Sequence, residues 1–251
     1  MVISTKLFGL IGFPLSHSFS KKYFTEKFEK EQIQNCSYEL YPIEKAENFL
    51  EIFSSNENLF GLNVTIPHKQ AVIPFLDKLD PASAGRIGAV NVIKKEKDGT
   101  LTGYNSDYYG FKKSLEEFLN HTSPQNALIL GTGGAGKAVE TALTDLSIQF
   151  TYVSRTAKNN SLCYEDLTEE LIQKNTLIIN ASPVGTYPNT KDSPNIPYQY
   201  LTPNHFLYDL VYNPETTEFM KKGQEYGAKT TNGLQMLILQ AEKAWEIWNN
   251  T

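Results

Sequence analysis

The stretch ALILGTGGAGKAVET, at positions 127–141, decides how the middle of this chain folds. Its first four residues are apolar, glycines follow at positions 131, 133, 134 and 136, and the remainder has the small-residue pattern of a helix. The pattern predicts a buried strand, a tight turn and a helix, which is the context of the dinucleotide-binding turn G-x-G-x-x-G. In that turn Gly131 makes the bend, Gly133 admits a pyrophosphate and Gly136 lets helix and strand pack closely. The phosphates bind backbone N–H groups at the helix N-terminus.

The same stretch satisfies most of the nucleotide triphosphate loop G-x-x-x-x-G-K-[ST], through Gly131, Gly136 and Lys137. The residue after Lys137 is Ala138, so the hydroxyl that would bind magnesium in that loop is missing. Gly133 would also have no role there. The sequence therefore favours a dinucleotide over a triphosphate, and the remaining alternative is a glycine-rich turn that binds nothing.

The next predicted strand, Gln149–Ser154, ends in a basic turn that contains Ser154, Arg155 and Thr156, with Lys158 just beyond. An NAD site places an acidic residue here to hold the ribose 2′-hydroxyl, whereas arginine and threonine suit a 2′-phosphate. The sequence therefore predicts NADP as the cofactor. The alternative is an ordinary solvated basic turn.

Composition excludes several classes of function. The chain has 251 residues, 40% of them apolar, which is enough for two domains with ordinary cores. A net charge of −5 and a pI near 5.5 disfavour nucleic acid as a partner, because phosphate binding needs a concentrated basic face. Cys36 and Cys163 lie far apart with no CxxC pair, which predicts a reducing compartment without disulfides or a zinc site.

The histidines and the apolar N-terminal segment carry no further chemistry. The four histidines have no metal-ligand spacing, so no metal is expected. The apolar segment Leu7–Phe13 is too short to span a membrane and lacks a cleavage site of the A-x-A type. We expect a cytoplasmic protein with no membrane partner.

Alternating strand and helix patterns predict an α/β protein with two domains. The first domain is expected to be mostly parallel, with strands Leu7–Gly12, Tyr38–Tyr41 and Gly61–Ile66, helices Ser20–Gln32 and Lys45–Phe53, a helical segment Gln70–Leu76, and a hairpin of Ala89–Lys95 and Leu101–Tyr104 through Asp98-Gly99. A connecting helix, Tyr108–Leu119, has Asp107 at its predicted N-cap.

The second domain is expected to be a doubly wound Rossmann-type sheet. Its predicted strands are 127–130, 149–154, Leu177–Asn180 and Leu207–Val211, and its helices are 135–146, Tyr164–Gln173 and Thr216–Tyr226, with a long loop at 181–197. A final apolar helix, Leu234–Trp248, is expected to pack back on the first domain. The predicted boundaries are 1–105 with 232–251 for the first domain and 106–231 for the second.

Polar residues near the strand ends predict chemistry. Lys69 comes just past the predicted strand in NVTIPHK, and ligands of open parallel sheets bind at such ends. A lysine beside a carboxylate can exchange a proton with a reacting hydroxyl, and Asp107 is a candidate partner. By sequence alone, residues such as these are more often solvated surface charges.

Separated motifs along the chain resemble those of the shikimate dehydrogenase family. They are GFPLSHSFS (12–20), NVTIPHK (63–69), GAVN (88–91), GYNSD (103–107), GTGGAGKA with SRT, and then INASPVGTYP, DLVYNP and NGLQMLILQ. The resemblance spans nearly the whole chain. It implies an oxidoreductase that reduces 3-dehydroshikimate to shikimate with NADPH, on the route to chorismate and the aromatic amino acids.

The resemblance also implies roles for individual residues. For the substrate, Ser18, Ser20 and Tyr212 match the carboxylate site, and Thr65, Asn91 and Gln240 match residues that bind the ring hydroxyls. Lys69 matches the catalytic lysine and Asp107 its carboxylate partner, which also binds substrate. For the cofactor, Gly131, Thr132, Gly133, Gly134 and Ala135 match the pyrophosphate loop, Ser154, Arg155, Thr156 and Lys158 the 2′-phosphate site, and Leu210, Gly233 and Met236 the nicotinamide surroundings.

The chain departs from the family pattern at a few positions and leaves two alternatives open. Lys21 stands where the family usually has proline, Ser106 where it has threonine, and Gly136-Lys137 where a bulkier residue and arginine are common. One alternative is a quinate/shikimate dehydrogenase of broader range, often using NAD. The other is a non-catalytic dinucleotide- or shikimate-sensing module. We expect a monomer or a homodimer that binds a small-molecule substrate.

Overall fold

The computed structural model describes residues 5–15, 18–156 and 161–250, which fold into two compact units. The first unit is Met1–Ser106 with Ala241–Thr251, and the second is Asp107–Gln240. The first contains β1 (Lys6–Gly12), α1 (Phe19–Lys30), β2 (Cys36–Pro42), α2 (Phe49–Ser55), β3 (Leu59–Val64), β4 (Lys78–Leu79), α3 (Ala84–Ile87), β5 (Val92–Lys95) and β6 (Leu101–Tyr104).

The second unit is entered through helix α4 (Ser106–Leu119) and left through the last helix, α8 (Leu234–Asn249). Between them lie β7 (Asn126–Leu130), α5 (Gly134–Asp145), β8 (Gln149–Ser154), β9 (Leu162–Cys163), α6 (Glu169–Lys174), β10 (Leu177–Asn180), β11 (Phe206–Asp209), α7 (Glu218–Glu225) and β12 (Lys229–Thr231). No helix within the described ranges is long and apolar enough to cross a membrane.

The sheet of the first unit has the strand order β2-β1-β3-β5-β6-β4. Strand β1 pairs in parallel with β2 and β3, whereas β5 pairs antiparallel with β3 and β6. The predicted hairpin is confirmed, with Gly99 at φ 87° and Thr100 N donating to Asp98 Oδ1 at 3.0 Å. Because β1 and β3 run the same way, the polar residues that follow them lie at one edge of the sheet.

The last turns of α8 complete the core of the first unit, as predicted. The Trp248 ring stacks on Phe8 with centroids 4.9 Å apart, and its Nε1 donates to the Ile93 carbonyl at 3.0 Å. A Cβ at Gly61 would lie 2.1 Å from Trp248 Nε1, so only glycine fits beneath the indole. The first unit is therefore built from two separate stretches of sequence.

All strands of the second sheet are parallel, in the order β12-β11-β10-β7-β8-β9. From β7 the chain moves outward through β8 and β9, then returns and moves the other way through β10, β11 and β12. The predicted doubly wound sheet is confirmed. Its topological switch point lies between β7 and β10, where ligands of such sheets bind beyond the carboxyl ends of the strands.

Asp107 is not an N-cap, in contrast to the prediction. Helix α4 begins at Ser106, which puts Asp107 in its first turn. The backbone N of Ser106 donates to the Asn91 side-chain oxygen at 2.6 Å, so a side chain that directly precedes β5 satisfies a donor at the start of the helix. The sequence around Asp107 does not reveal this partner.

Several other predicted helices are interrupted or shorter than expected, and two segments show why. The segment Tyr164–Gln173 divides into a 3₁₀ turn, Tyr164–Asp166, and α6, because the Thr168 hydroxyl accepts from Leu171 N at 3.3 Å and starts a new helix. The segment Gln70–Leu76 reduces to a 3₁₀ turn at Ile73–Phe75, whose central proline has no N–H to donate.

Candidate active site

The glycine-rich turn has the local geometry that dinucleotide binding requires. Gly131 has φ +106°, a conformation that favours glycine, and its N donates to Val153 O at 2.8 Å. A Cβ at Gly136 would lie 3.4 Å from the Tyr152 ring, which is an ordinary van der Waals contact between α5 and β8. A Cβ at Gly133 would meet nothing within 4 Å. Open space at this position is what a pyrophosphate approaching the N-terminus of α5 needs.

This turn forms one wall of a cleft of about 680 Å³ in the second unit. The cleft lies at the switch point of the sheet, between the segments that follow β7, β8 and β10. It brings together the predicted cofactor residues Gly131, Thr132, Gly133, Ser154, Arg155 and Thr156, and adds Ser161, Tyr164, Glu165, Ala181, Ser182, Pro183, Val184, Ser193, Pro194 and Asn195. The predicted residues Gly134 and Ala135 form the first turn of α5. The predicted residue Lys158 lies outside the described residues.

The basic end of the cleft is at the carboxyl end of β8. Ser154 Oγ donates to the Thr156 carbonyl at 2.6 Å, which shapes the turn that carries Arg155. Burial raises the pKa of the Tyr164 hydroxyl, and the nearby positive charge of Arg155 lowers it. The guanidinium thus contributes positive charge to this end, and guanidinium groups bind phosphates through two parallel hydrogen bonds. The donors and the charge fit a 2′-phosphorylated dinucleotide.

The predicted nicotinamide residues Leu210 and Gly233 are in direct contact. A Cβ at Gly233 would lie 2.2 Å from the Leu210 carbonyl oxygen, and no side chain could be accommodated without moving the backbone. Helix α4 approaches α8 in a similar way, since a Cβ at Gly110 would lie 2.5 Å from Met236 O and 2.9 Å from Gln240 N. These contacts fix Met236 and Gln240 within the second unit.

A buried polar group next to this site has no role in the sequence analysis. Asp209 accepts hydrogen bonds from Asn180 Nδ2 at 2.9 Å, Val211 N at 3.0 Å and Thr217 Oγ1 at 2.6 Å. Burial raises the pKa of Asp209 to about 6, although each of these bonds lowers it. Relative to the unfolded chain, the folded state therefore disfavours the ionised carboxylate. The contribution of Asp209 to the free energy of unfolding falls as the pH rises from 3.8 to about 6. The sequence does hint at this group, because Asn180 and Asp209 are polar residues that each end an otherwise apolar strand.

In the first unit, Ser18 is the N-cap of α1. Its hydroxyl oxygen accepts from Lys21 N at 3.3 Å, which leaves the O–H proton to donate to a ligand. The N-terminus of a helix also favours negative charge. This position therefore suits a carboxylate, as the resemblance implies.

Ser20 begins a hydrogen-bonded chain that leads to a second predicted substrate residue, Asn91. Tyr38 is buried, which raises the pKa of its hydroxyl, and a hydrogen bond with Ser20 lowers that pKa. The Tyr38 hydroxyl donates to Asn63 Oδ1 at 2.7 Å, and Asn63 Nδ2 donates to the Asn91 carbonyl at 3.2 Å. Asn91 Nδ2 in turn donates to Ser106 Oγ at 3.0 Å. The sequence alone does not single out Tyr38, because a tyrosine on a strand resembles any other core residue.

Thr65 and Lys69 lie in the segment that follows β3. Thr65 is just past the strand, not within it, and its N donates to Ile11 O at 2.9 Å. The carbonyl of Lys69 accepts from Val90 N at 2.7 Å. Both side chains are half-buried. Of the other predicted substrate residues, half-buried Asp107, exposed Tyr212 and buried Gln240 all belong to the second unit.

Known proteins provide independent evidence for the family of this chain. The family model described as "Shikimate dehydrogenase substrate binding domain" matches residues 10–93. The protein named "Shikimate dehydrogenase (NADP(+))" from Clostridium beijerinckii is 40% identical over 97% of this chain and 92% of its own length. This chain belongs to the shikimate dehydrogenase family.

Solved structures of the family have the same fold. Shikimate 5-dehydrogenase from Thermus thermophilus, in complex with NADP(H) and shikimate, is 30% identical and superposes with a TM-score of 0.82, covering 97% of this chain and 93% of that one. Quinate dehydrogenase from Corynebacterium glutamicum, in complex with NAD, is 25% identical with a TM-score of 0.87, covering 98% and 94%. The fold is thus shared by relatives that bind different cofactors.

Two departures from the shikimate dehydrogenase pattern keep the site's hydrogen bonds. Lys21 stands where the family has proline, and its N–H makes the cap to Ser18 that proline could not make. Its Nζ also lies 2.6 Å from Glu39 Oε2. Ser106 replaces a threonine and keeps the hydroxyl that binds Asn91. Within the described ranges, no three His, Cys, Asp or Glu side chains are grouped as metal ligands would be.

Proposed function

We propose that this chain catalyses the reversible NADPH-dependent reduction of 3-dehydroshikimate to shikimate, on the route to chorismate and the aromatic amino acids. The observation that carries the proposal is the cleft at the switch point, where Arg155 and Thr156 follow β8 and no acidic residue occupies their positions. The membership of the shikimate dehydrogenase family supports the reaction.

The cleft residues would hold NADP in two groups. Gly131, Thr132 and Gly133, with the first turn of α5, would bind the pyrophosphate, and Ser154, Arg155 and Thr156 the 2′-phosphate, to which the family resemblance also assigns Lys158. Leu210, Gly233 and Met236 would surround the nicotinamide. When bound, the cofactor supplies the hydride for the ketone carbon.

Lys69 is proposed as the proton donor in reduction. Negative charge develops on the ketone oxygen in the transition state, and a cation placed there stabilises it and can deliver the proton. The family resemblance assigns Asp107 as the carboxylate partner of Lys69. Thr65, Asn91 and Gln240 would bind the ring hydroxyls, and Ser18, Ser20 and Tyr212 the substrate carboxylate.

Replacing Ser18 or Ser20 with alanine is expected to raise the KM for shikimate by about tenfold and to leave kcat nearly unchanged, because contacts made equally in ground and transition states give uniform binding. Steady-state kinetics at saturating NADP⁺ measure both constants. Thr25→Ala is the matched control, since it removes an exposed hydroxyl from the same helix. A fall in kcat alone, with KM unchanged, would exclude these serines from the carboxylate site.

A spectrophotometric assay of NADP⁺ or NAD⁺ reduction, with shikimate or quinate as substrate, tests the whole proposal. We expect the highest kcat/KM for shikimate with NADP⁺. Comparable rates with quinate and NAD⁺ would instead favour the broader quinate/shikimate dehydrogenase. Binding of both ligands without turnover would indicate a sensing module. The cytoplasmic location and the monomeric or dimeric state stay predictions.

A further inference from the structure

A continuous hydrogen-bonded chain runs along the carboxyl edge of the second sheet. Asp209 and Asn180 are both 0% exposed, and they are neighbours in register at the ends of β11 and β10. Asn180 Nδ2 donates to Asp209 Oδ1 at 2.9 Å, and Thr217 Oγ1 donates to Asp209 Oδ2 at 2.6 Å. The pair is therefore anchored on one side at the N-cap of α7.

Asn180 extends this chain to the cleft. Its Oδ1 accepts from both the backbone N of Ser182 at 3.1 Å and Ser182 Oγ at 2.6 Å. Ser182 lines the cleft and faces the glycine-rich turn, because a Cβ at Gly131 would lie 3.0 Å from Ser182 Cβ. The Asn180 side chain thus sets how closely the Ser182 loop approaches Gly131.

Asp209 Oδ1, which accepts from Asn180, also fixes the segment that carries Leu210. Val211 N donates to Asp209 Oδ1 at 3.0 Å, and Val211 O accepts from Gly233 N at 3.2 Å. The Leu210 carbonyl oxygen is the atom that excludes any side chain at position 233. One carboxylate therefore controls both the Ser182 loop and the contact between Leu210 and Gly233.

Asp209 is a poor choice for stability alone. Burial raises its pKa to about 6, above that of an ordinary aspartate, so keeping the carboxylate ionised at neutral pH costs the folded protein stability. Buried charges often stabilise a fold less than apolar groups of similar size would. Asp209 nevertheless accepts hydrogen bonds from three donors. Its role is therefore better explained by the geometry that it imposes on these neighbours than by stability.

We infer that Asp209 and Asn180 are positioning residues for the cofactor, which hold the Ser182 loop and the contact between Leu210 and Gly233 at the spacing that the dinucleotide needs. Both are fully buried, so they act through these neighbours without touching a ligand. The inference rests on the proposed function, because it assumes that this cleft binds NADP.

Calorimetric titration with NADP⁺ tests the inference on five proteins: the wild type, N180A, D209A, the double variant and the control H205N. His205 is also buried and bridges two segments, accepting from Thr202 N at 3.0 Å, but it lies at the opposite, amino end of β11. We expect N180A and D209A each to raise the Kd for NADP⁺ about tenfold, and the double variant to raise it no further, because the two residues act as one unit. H205N should lower Tm and leave Kd unchanged.

A sixth protein, D209N, separates geometry from charge. The side-chain oxygen of the asparagine can still accept from Asn180 and Val211, and the side-chain NH₂ can donate to the Thr217 hydroxyl oxygen. D209N should therefore bind NADP⁺ nearly as the wild type does. If D209A fails to fold, N180A decides by itself. Unchanged Kd in N180A, or an equal loss in H205N, would overturn the inference. A wild-type protein that binds no NADP⁺ would instead overturn the proposed function.

Discussion

Replacing Lys69 with alanine is expected to lower kcat by about 10²–10⁴-fold, the usual span for a positioned acid–base group. In the proposed mechanism, the variant loses both the cation that faces the developing oxyanion and the proton that completes the alcohol. The Kd for NADP⁺ should change little, because the cofactor cleft is formed by residues of the other unit. Steady-state kinetics and a calorimetric titration of the same preparation measure the two effects.

The matched control is Lys30→Ala, which removes an exposed lysine from the end of α1 in the same unit. Asp107→Asn should reduce kcat as well, and combining it with Lys69→Ala should add little, because groups that act as a unit are strongly non-additive. A Lys69→Ala variant with near-normal kcat would refute the proton-donor role. Fully additive losses would refute the partnership with Asp107.

Arg155→Ala is expected to raise the KM for NADP⁺ by roughly 10–100-fold, because a hydrogen bond to a charged group contributes about 1.5–3 kcal/mol. NAD⁺ lacks the 2′-phosphate, so its KM should stay the same and serves as an internal control. Lys174→Ala changes the net charge of the same unit equally at an exposed position outside the cleft. Equal changes for both cofactors would show that Arg155 does not read the 2′-phosphate.

The parts of the fold set by local pattern were predictable from the sequence. Strand β8 and the strand Leu177–Asn180 have the predicted bounds, and the turn at Gly131 has the predicted geometry. In each case the residues that determine the structure are adjacent in sequence, and before Gly131 an apolar run leads directly into glycine. The position of the cleft beside Gly131 was also predictable, because the switch point of a doubly wound sheet fixes where such a turn meets its neighbours.

The parts that depend on distant partners were not predictable. The start of α4 depends on Asn91, 15 residues away in sequence, and the chain from Ser20 to Asn91 passes through Tyr38 and Asn63. The two- and three-residue strands β4, β9 and β12 are too short for any alternation to show. The helix break before α6 required one hydroxyl, that of Thr168, to outweigh an otherwise helical pattern.

Because Trp248 packs on Gly61, the core of the first unit cannot be completed until Trp248 has been synthesised. Residues 107–240 form one uninterrupted unit, and they are complete before Ala241–Thr251 leave the ribosome. The unit that is synthesised first therefore waits for its last core residue, although N-terminal domains usually fold first. In that interval Phe8 lacks its stacking partner, and we expect the apolar surface around Phe8 to stay exposed.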